Sequence, residues 1–224
     1  MSLIVYGAPL SPFVRKLRLY LAEKGLDYQL EVVMPGDRSE SFRAISPLGR
    51  IPAFRDDSVE LADSSVICQY LEDKHAERPP LYGQGAEQRS KVRWLEKYAD
   101  YELAPLTTFT VFRNRIVKAT LGQQCDESAV QSALHDRLPQ HFDYLEKTLG
   151  QAEYFVGGSL SLADLAIASQ LINMEHGGEH LDEQRWPSLS AFLVRIKARP
   201  SVLAVLPAEQ ATVAKMRERA KVEQ

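Results

Sequence analysis

The chain has 224 residues, 45% of them hydrophobic and 25% charged, with a formal net charge of −3; this is the composition of a globular protein and excludes a disordered chain. Basic residues are scattered among acidic ones, which leaves no electrostatic footprint for nucleic acid, and no apolar run approaches membrane-spanning length. The opening MSLIVYGAPLS lacks the basic region of a secretory leader, so a cytosolic location is expected, where Cys68 and Cys125, at no metal-binding spacing, are expected to be thiols.

The segment LIVYG, from Leu3 to Gly7, is β-branched and aromatic and reads as a buried strand. APLSPFVRK follows, with Ser11 at a helix N-cap position and Pro12 at the first helical position. Phe13, Val14, Leu17 and Leu21 then recur at helical spacing up to a stop at Gly25. YQLEVV predicts a second strand, Glu40 to Ile45 a short helix, PAFRDDSVEL two strands around an Asp-Asp-Ser turn, and SSVICQYLEDKH a third helix. The order β-α-β-α-β-β-α makes residues 1–76 a compact α/β unit.

Adjacent prolines and two glycines in AERPPLYGQGAE mark a linker over residues 77–86. Strand signals vanish beyond it, and helical periodicity predicts an all-helical domain over residues 87–224. SLADLAIA carries a capping box, with Ser161 at the N-cap and Asp164 three positions on. The closing AEQATVAKMRERAKVEQ is polar and predicts a frayed surface helix. His176 and His180 stand four residues apart, but the glycines between them argue against one helix face, so no metal site is expected.

Four motifs together resemble the cytosolic glutathione transferases. SPFVRK resembles the active-site segment of the serine-type members, tau-like and bacterial groups closest. SPLGRIPAF, Ser46 to Phe54, is similar to the family's NPxGxVPAL pattern, with Pro52 at its cis-proline position. LADSSVICQYLE resembles the family's acid-Ser segment, and SLADLAIA its capping box. The resemblance runs from Leu3 to about Leu206 and implies a thioredoxin-like N-terminal domain followed by a transferase-type helical domain, glutathione as co-substrate, a small electrophile as second substrate and a homodimer.

Carried onto this chain, the resemblance implies that Ser11 activates the glutathione thiol. Arg50, Ile51, Pro52, Asp63 and Ser64 would bind the tripeptide, Ile51 through its main chain and Asp63 through the γ-glutamyl ammonium. Asp63 stands where most members carry Glu, which shortens that reach. Local rules offer plainer roles for each: Ser11, Asp63 and Ser64 as helix caps, Pro52 as an edge-strand opener, Arg50 as a solvated loop charge. Tyr6 is the rival donor to the thiol, and Arg15 reads either as support for Ser11 or as a salt-bridge partner. Phe13, Tyr98, Tyr101, Phe109 and Phe112 are candidates for an electrophile pocket between the domains, or for core. Serine in place of cysteine at the helix start disfavours disulfide-exchange chemistry. A glutathione-dependent isomerase or dehalogenase, and a non-catalytic binding protein on the same fold, are the competing functions.

Overall fold

A computed structural model describes residues 3–222. Four strands, β1 Ile4–Tyr6, β2 Gln29–Glu31, β3 Ala53–Arg55 and β4 Glu60–Ala62, form one mixed sheet in the order β2-β1-β3-β4. β1 runs parallel to β2 and antiparallel to β3, with Tyr6 opposite Ala53; β3 runs antiparallel to β4, with Ala53 opposite Ala62. Side chains alternate between the two faces. Val5 and Phe54 enter the main core with Val14 and Leu17 of α1 (Pro12–Lys24) and Ile67 and Leu71 of α3 (Ser64–Lys74). Tyr6 and Ala53 instead meet Phe42 and Ile45 of α2 (Glu40–Ile45). β2 is shorter than its β-branched sequence predicts: the Gly7 N–H takes the Glu31 carbonyl, β1 then turns away, and Val32 is left 66% exposed with no strand beside it.

The helical domain begins with α4, residues 85–118, α-helical over Gly85–Tyr98 and Ala104–Leu106 and wound in wider π-type turns over Ala99–Leu103 and Thr107–Lys118. Pro105 has no N–H to donate and its ring crowds the preceding turn, a recognised cause of such widening. The Thr107 hydroxyl donates to the Leu103 carbonyl at 3.0 Å and the Thr110 hydroxyl to the Pro105 carbonyl at 2.8 Å, taking up acceptors the altered winding frees.

α5 covers residues 127–149 with a π-type stretch at Ala133–Arg137. α6, Leu162–His176, is buried along nearly its whole length. Its capping box forms as the sequence predicts: Asp164 Oδ2 accepts from the Ser161 N–H at 2.8 Å and hydroxyl at 2.7 Å. α7 (Pro187–Lys197), α8 (Pro200–Leu203) and α9 (Leu206–Val222) complete the chain.

The closing segment differs from the frayed surface helix expected of it. α9 is formed over seventeen residues, Val213 packs with Phe112 and Ile116, and Glu209 is 1% exposed. A mostly polar composition hid these few inward positions. The connection between the halves is also anchored: Glu72 Oε1 accepts from the Leu81 and Tyr82 N–H groups, and the Leu81 carbonyl accepts from the Leu162 N–H at 2.7 Å.

Candidate functional site

Strand register decides which motifs meet. Because Tyr6, Ala53 and Ala62 lie side by side across β1, β3 and β4, the next residues outward, Gly7, Pro52 and Asp63, share one end of the sheet. A Cβ built on Gly7 would lie 2.4 Å from Val14 Cγ2 and 3.4 Å from Ile51 Cβ. The first turn of α1 and the Ile51-Pro52 step are therefore in close contact across a residue with no side chain.

Ser11 caps α1. Its backbone is extended (φ −71°, ψ 126°), and its hydroxyl oxygen accepts from the Val14 N–H at a long 3.4 Å. A hydroxyl that accepts through a lone pair keeps its own proton to donate, so capping and contact with an anion are compatible in one side chain. The helix N-terminus adds partial positive charge at the same place. The Ile51–Pro52 bond is cis, and the Ile51 N–H and C=O have no hydrogen-bond partner among the described residues. Ser46 Oγ bridges the Arg50 N–H and C=O at 3.0 and 2.8 Å, fixing the loop, while the Arg50 side chain is exposed.

Asp63 has φ 80° and ψ 120°, a region that a residue with a side chain occupies at a cost of order 1–3 kcal/mol. Its Oδ1 accepts from the Ser65 N–H at 2.9 Å and the Val66 N–H at 3.3 Å, so the carboxylate is an N-cap. Ser64 is buried beside it, and Ser65 Oγ accepts from Lys97 Nζ at 2.7 Å, tying the α3 start to α4.

The aromatic candidates separate into three places. Phe13, two positions after Ser11, stacks on Phe109 with ring centroids 6.2 Å apart, and Phe109 remains 52% exposed. Phe112 is buried with Ile116 and Val213, and Leu10 packs against that cluster. Tyr98 turns elsewhere, packing on Trp94 and Tyr144 with its hydroxyl 2.7 Å from His141 Nδ1; Tyr101 is exposed with Lys97 near its ring. Tyr6 faces α2, on the sheet face opposite α1, and burial together with Glu31 pushes its phenol above the ordinary tyrosine value.

Sequence reasoning left two residues of α1 undecided or unmentioned. Arg15, fully buried, donates to Glu209 Oε2 through Nε at 2.8 Å and again through Nη2, and through Nη1 to the Ser169 carbonyl and Asn173 Oδ1, both at 2.8 Å. His176 Nε2 lies 3.2 Å from the same Glu209 oxygen, and burial lowers its pKa. Lys16 pairs with Glu96 at 2.9 Å and Asp100 at 2.7 Å. Burial opposes its charge, but these two carboxylates hold the ammonium above the ordinary lysine value. Two consecutive cations four and five positions after the cap thus fasten the start of α1 to the helical domain. Their signal in the sequence is the pair of charges inside an otherwise apolar helix face. Cys68 is buried, and burial pushes its thiol far up, as befits a core residue. Among the described residues no cluster of three or more His, Cys, Asp or Glu side chains is placed to hold a metal ion.

Comparisons with known proteins find relatives across both domains. Residues 5–79 match the family model described as glutathione S-transferase, N-terminal domain, and residues 112–209 the corresponding C-terminal domain. Glutathione S-transferase F10 of Arabidopsis thaliana is 30% identical over 171 residues, covering 74% of this chain and 78% of its own. Maleylacetoacetate isomerase of Rattus norvegicus is 28% identical over 182 residues, 78% of each chain. The crystal structure of a glutathione S-transferase from Rhodospirillum rubrum superimposes with a TM-score of 0.81 at 28% identity, covering 89% of this chain and 90% of that one. With a thioredoxin-like sheet, a helical second domain and these matches across both, the chain belongs to the glutathione S-transferase family.

Proposed function

We propose that the protein binds glutathione along the sheet end that carries Gly7, Pro52 and Asp63, and transfers its thiolate to a small electrophile. The observation that carries the reading is the Ser11 hydroxyl, with a proton to spare at the N-terminus of α1, whose first turn meets the Ile51-Pro52 step across Gly7, while the Ile51 main chain has no hydrogen-bond partner among the described residues. A peptide laid against Ile51 gains two backbone hydrogen bonds in the manner of an added strand. Its γ-glutamyl carboxylate meets the start of α3 at Ser64 and Ser65, and its ammonium the Asp63 carboxylate. Both Asp63 bonds fall on Oδ1, so Oδ2 is the oxygen for that ammonium. Arg50, exposed on the loop before Ile51, takes the glycyl carboxylate.

A cysteine thiol titrates near about 8.5, and the thiolate is the nucleophile. Lowering that value by about two units requires roughly 2.7 kcal/mol in favour of the anion. One charge-assisted hydrogen bond, at about 1.5–3 kcal/mol, with a helix-end contribution of about 0.3–1 kcal/mol, is of that size. Ser11 donates to the sulfur, the electrophile accepts the sulfur's electron pair, and the stacked Phe13–Phe109 pair offers the electrophile an apolar wall. Residues 1–76 supply the glutathione contacts and Phe13, and the helical domain over 87–224 completes that wall with Phe109; the reading further takes the protein as a cytosolic homodimer.

The test is an ultraviolet titration of bound glutathione in wild type and Ser11→Ala, alongside urea denaturation. A residue that only caps loses about 1 kcal/mol of stability and leaves the thiolate titration where it was, which would sink the proposal. The proposal expects the bound thiol pKa to rise by at least about one unit and turnover to fall at least tenfold. A second reading, isomerisation, is favoured by the similarity to the rat isomerase. In that reaction the thiolate adds and is expelled, so glutathione is regenerated rather than consumed; following free thiol during turnover of an electrophile panel distinguishes the two.

A further inference from the structure

The first turn of α3 has few donors left for an anion. Asp63 Oδ1 accepts from the Ser65 N–H at 2.9 Å and the Val66 N–H at 3.3 Å, and the Asp63 carbonyl accepts from the Ile67 N–H at 3.0 Å. That leaves the Ser64 N–H, which has no backbone partner among the described residues, and the hydroxyls of Ser64 and Ser65. The nearest charges on this side are acids. Asp63 is the cap itself, and Asp100 Oδ2 lies 3.5 Å from Ser65 Oγ. Lys16 Nζ answers Asp100 at 2.7 Å but is shared with Glu96 at 2.9 Å, so with both carboxylates ionised this trio carries one net negative charge. A carboxylate set against Ser65 would meet these acids with only the partial charge of a helix end in its favour.

Lys97 changes that balance. It belongs to α4 of the helical domain, is half-buried, forms no ion pair among the described residues, and donates through Nζ to Ser65 Oγ at 2.7 Å. With Lys97 on one lone pair, the Ser65 hydroxyl keeps its own proton to give. The acceptor at hand is Asp100 Oδ2 at 3.5 Å, a length at which little hydrogen bonding remains, on an oxygen already held by Lys16. A ligand carboxylate at ordinary hydrogen-bond length therefore takes the proton over at little cost. Given glutathione at the proposed site, on which this inference rests, we propose that Lys97 is a positioning residue for the γ-glutamyl end: through the Ser65 hydroxyl it supplies the positive charge that lets the α-carboxylate sit at an α3 start flanked by acids. Recognition of one zwitterionic head is then divided between the domains, with Asp63 answering the ammonium and Lys97 the carboxylate.

The experiment measures binding by calorimetry to the full-length protein and to Lys97→Met and Lys97→Arg. The ligands are glutathione, γ-aminobutyryl-cysteinylglycine, which lacks only the α-carboxylate, and glutaryl-cysteinylglycine, which lacks only the ammonium. Wild type should bind glutathione at least about tenfold more tightly than the analogue without the carboxylate. Lys97→Met should weaken glutathione and glutaryl-cysteinylglycine at least about fivefold each and leave γ-aminobutyryl-cysteinylglycine as in wild type, while Lys97→Arg keeps most of the preference. A residue that serves only to hold α3 against α4 would weaken all three ligands alike, and that result overturns the proposal. So does a Lys97→Met variant that binds all three as wild type does, a wild type that binds glutathione and the decarboxylated analogue equally, or an Arg variant no better than the Met one. A wild type that binds none of the three overturns the glutathione site itself, and the role of Lys97 with it.

Discussion

Removing the Glu209 carboxylate isolates the consequence of the buried charges under α1. Arg15 is 0% and Glu209 1% exposed, so the ion pair sits in a site that water does not reach. Glu209→Ala leaves the guanidinium with two neutral acceptors, the Ser169 carbonyl and Asn173 Oδ1. Stranding one partner of a buried pair costs about 3–5 kcal/mol, whereas an exposed pair contributes about 0–1 kcal/mol. For a chain of this size, about 1 kcal/mol moves the midpoint of thermal unfolding by about 2–4 °C, so Glu209→Ala should lower it by roughly 6–20 °C. Arg15→Met combined with Glu209→Leu removes both charges while keeping volume, and should recover most of that loss. Thermal and urea melts of Arg15→Met, Glu209→Leu and the double variant close the cycle and give the coupling between the two positions. A Glu209→Ala loss below about 1 kcal/mol, or a double variant no more stable than the singles, would refute the reasoning that the pair is desolvated.

Gly7→Ala places a methyl group 2.4 Å from Val14 Cγ2 and should destabilise by about 1–3 kcal/mol in urea while weakening glutathione binding through the displaced α1 turn; unchanged melting and binding would show that the turn yields freely. Asp56 governs an acid limb of stability. Burial opposes its ionisation, but Lys74 Nζ at 2.7 Å, the Ser58 and Val59 N–H groups and the Tyr70 hydroxyl hold its pKa down to about 2, from an ordinary 3.8. The folded value is the lower one, so this contribution is present above about pH 4 and disappears as the pH falls toward 2. Urea midpoints measured across that window should fall less steeply in Asp56→Asn than in wild type, and parallel curves would contradict the assignment.

Much of this molecule is written in local sequence. The Ser11-Pro12 start and Gly25 stop of α1, with Gly25 at φ 65°, follow from residues whose conformational preferences are strong on their own. The Ser161–Asp164 box and the Asp-Asp-Ser hairpin are equally local. Bringing Gly7, Pro52 and Asp63 together needed strand register, which short alternating segments specify only once paired. What stayed hidden depends on partners far along the chain. Glu209 lies 194 residues from Arg15, in a segment whose polar composition reads as solvent-facing. Tyr98 shares helical spacing with the pocket candidates, yet His141 and Tyr144 draw it to another side of α4. The π-type turns around Pro105 shift which residues of α4 face inward, so a 3.6-residue period applied across that proline misassigns faces beyond it.

Lys16 and Arg15 carry a consequence for how such a protein can be divided. The sheet-bearing half owns the cations, and the helical half owns Glu96, Asp100 and Glu209, which answer them. Neither half is electrostatically complete, and each would expose to water a surface shaped for the other's charges. A recombined chain that joins this first half to a different helical half keeps the seating of α1, and with it the proposed thiol site, only if the incoming helices bring acids to the same three places. The unit that can be exchanged is therefore the charge pattern across the seam together with the site, and not the thioredoxin-like domain alone.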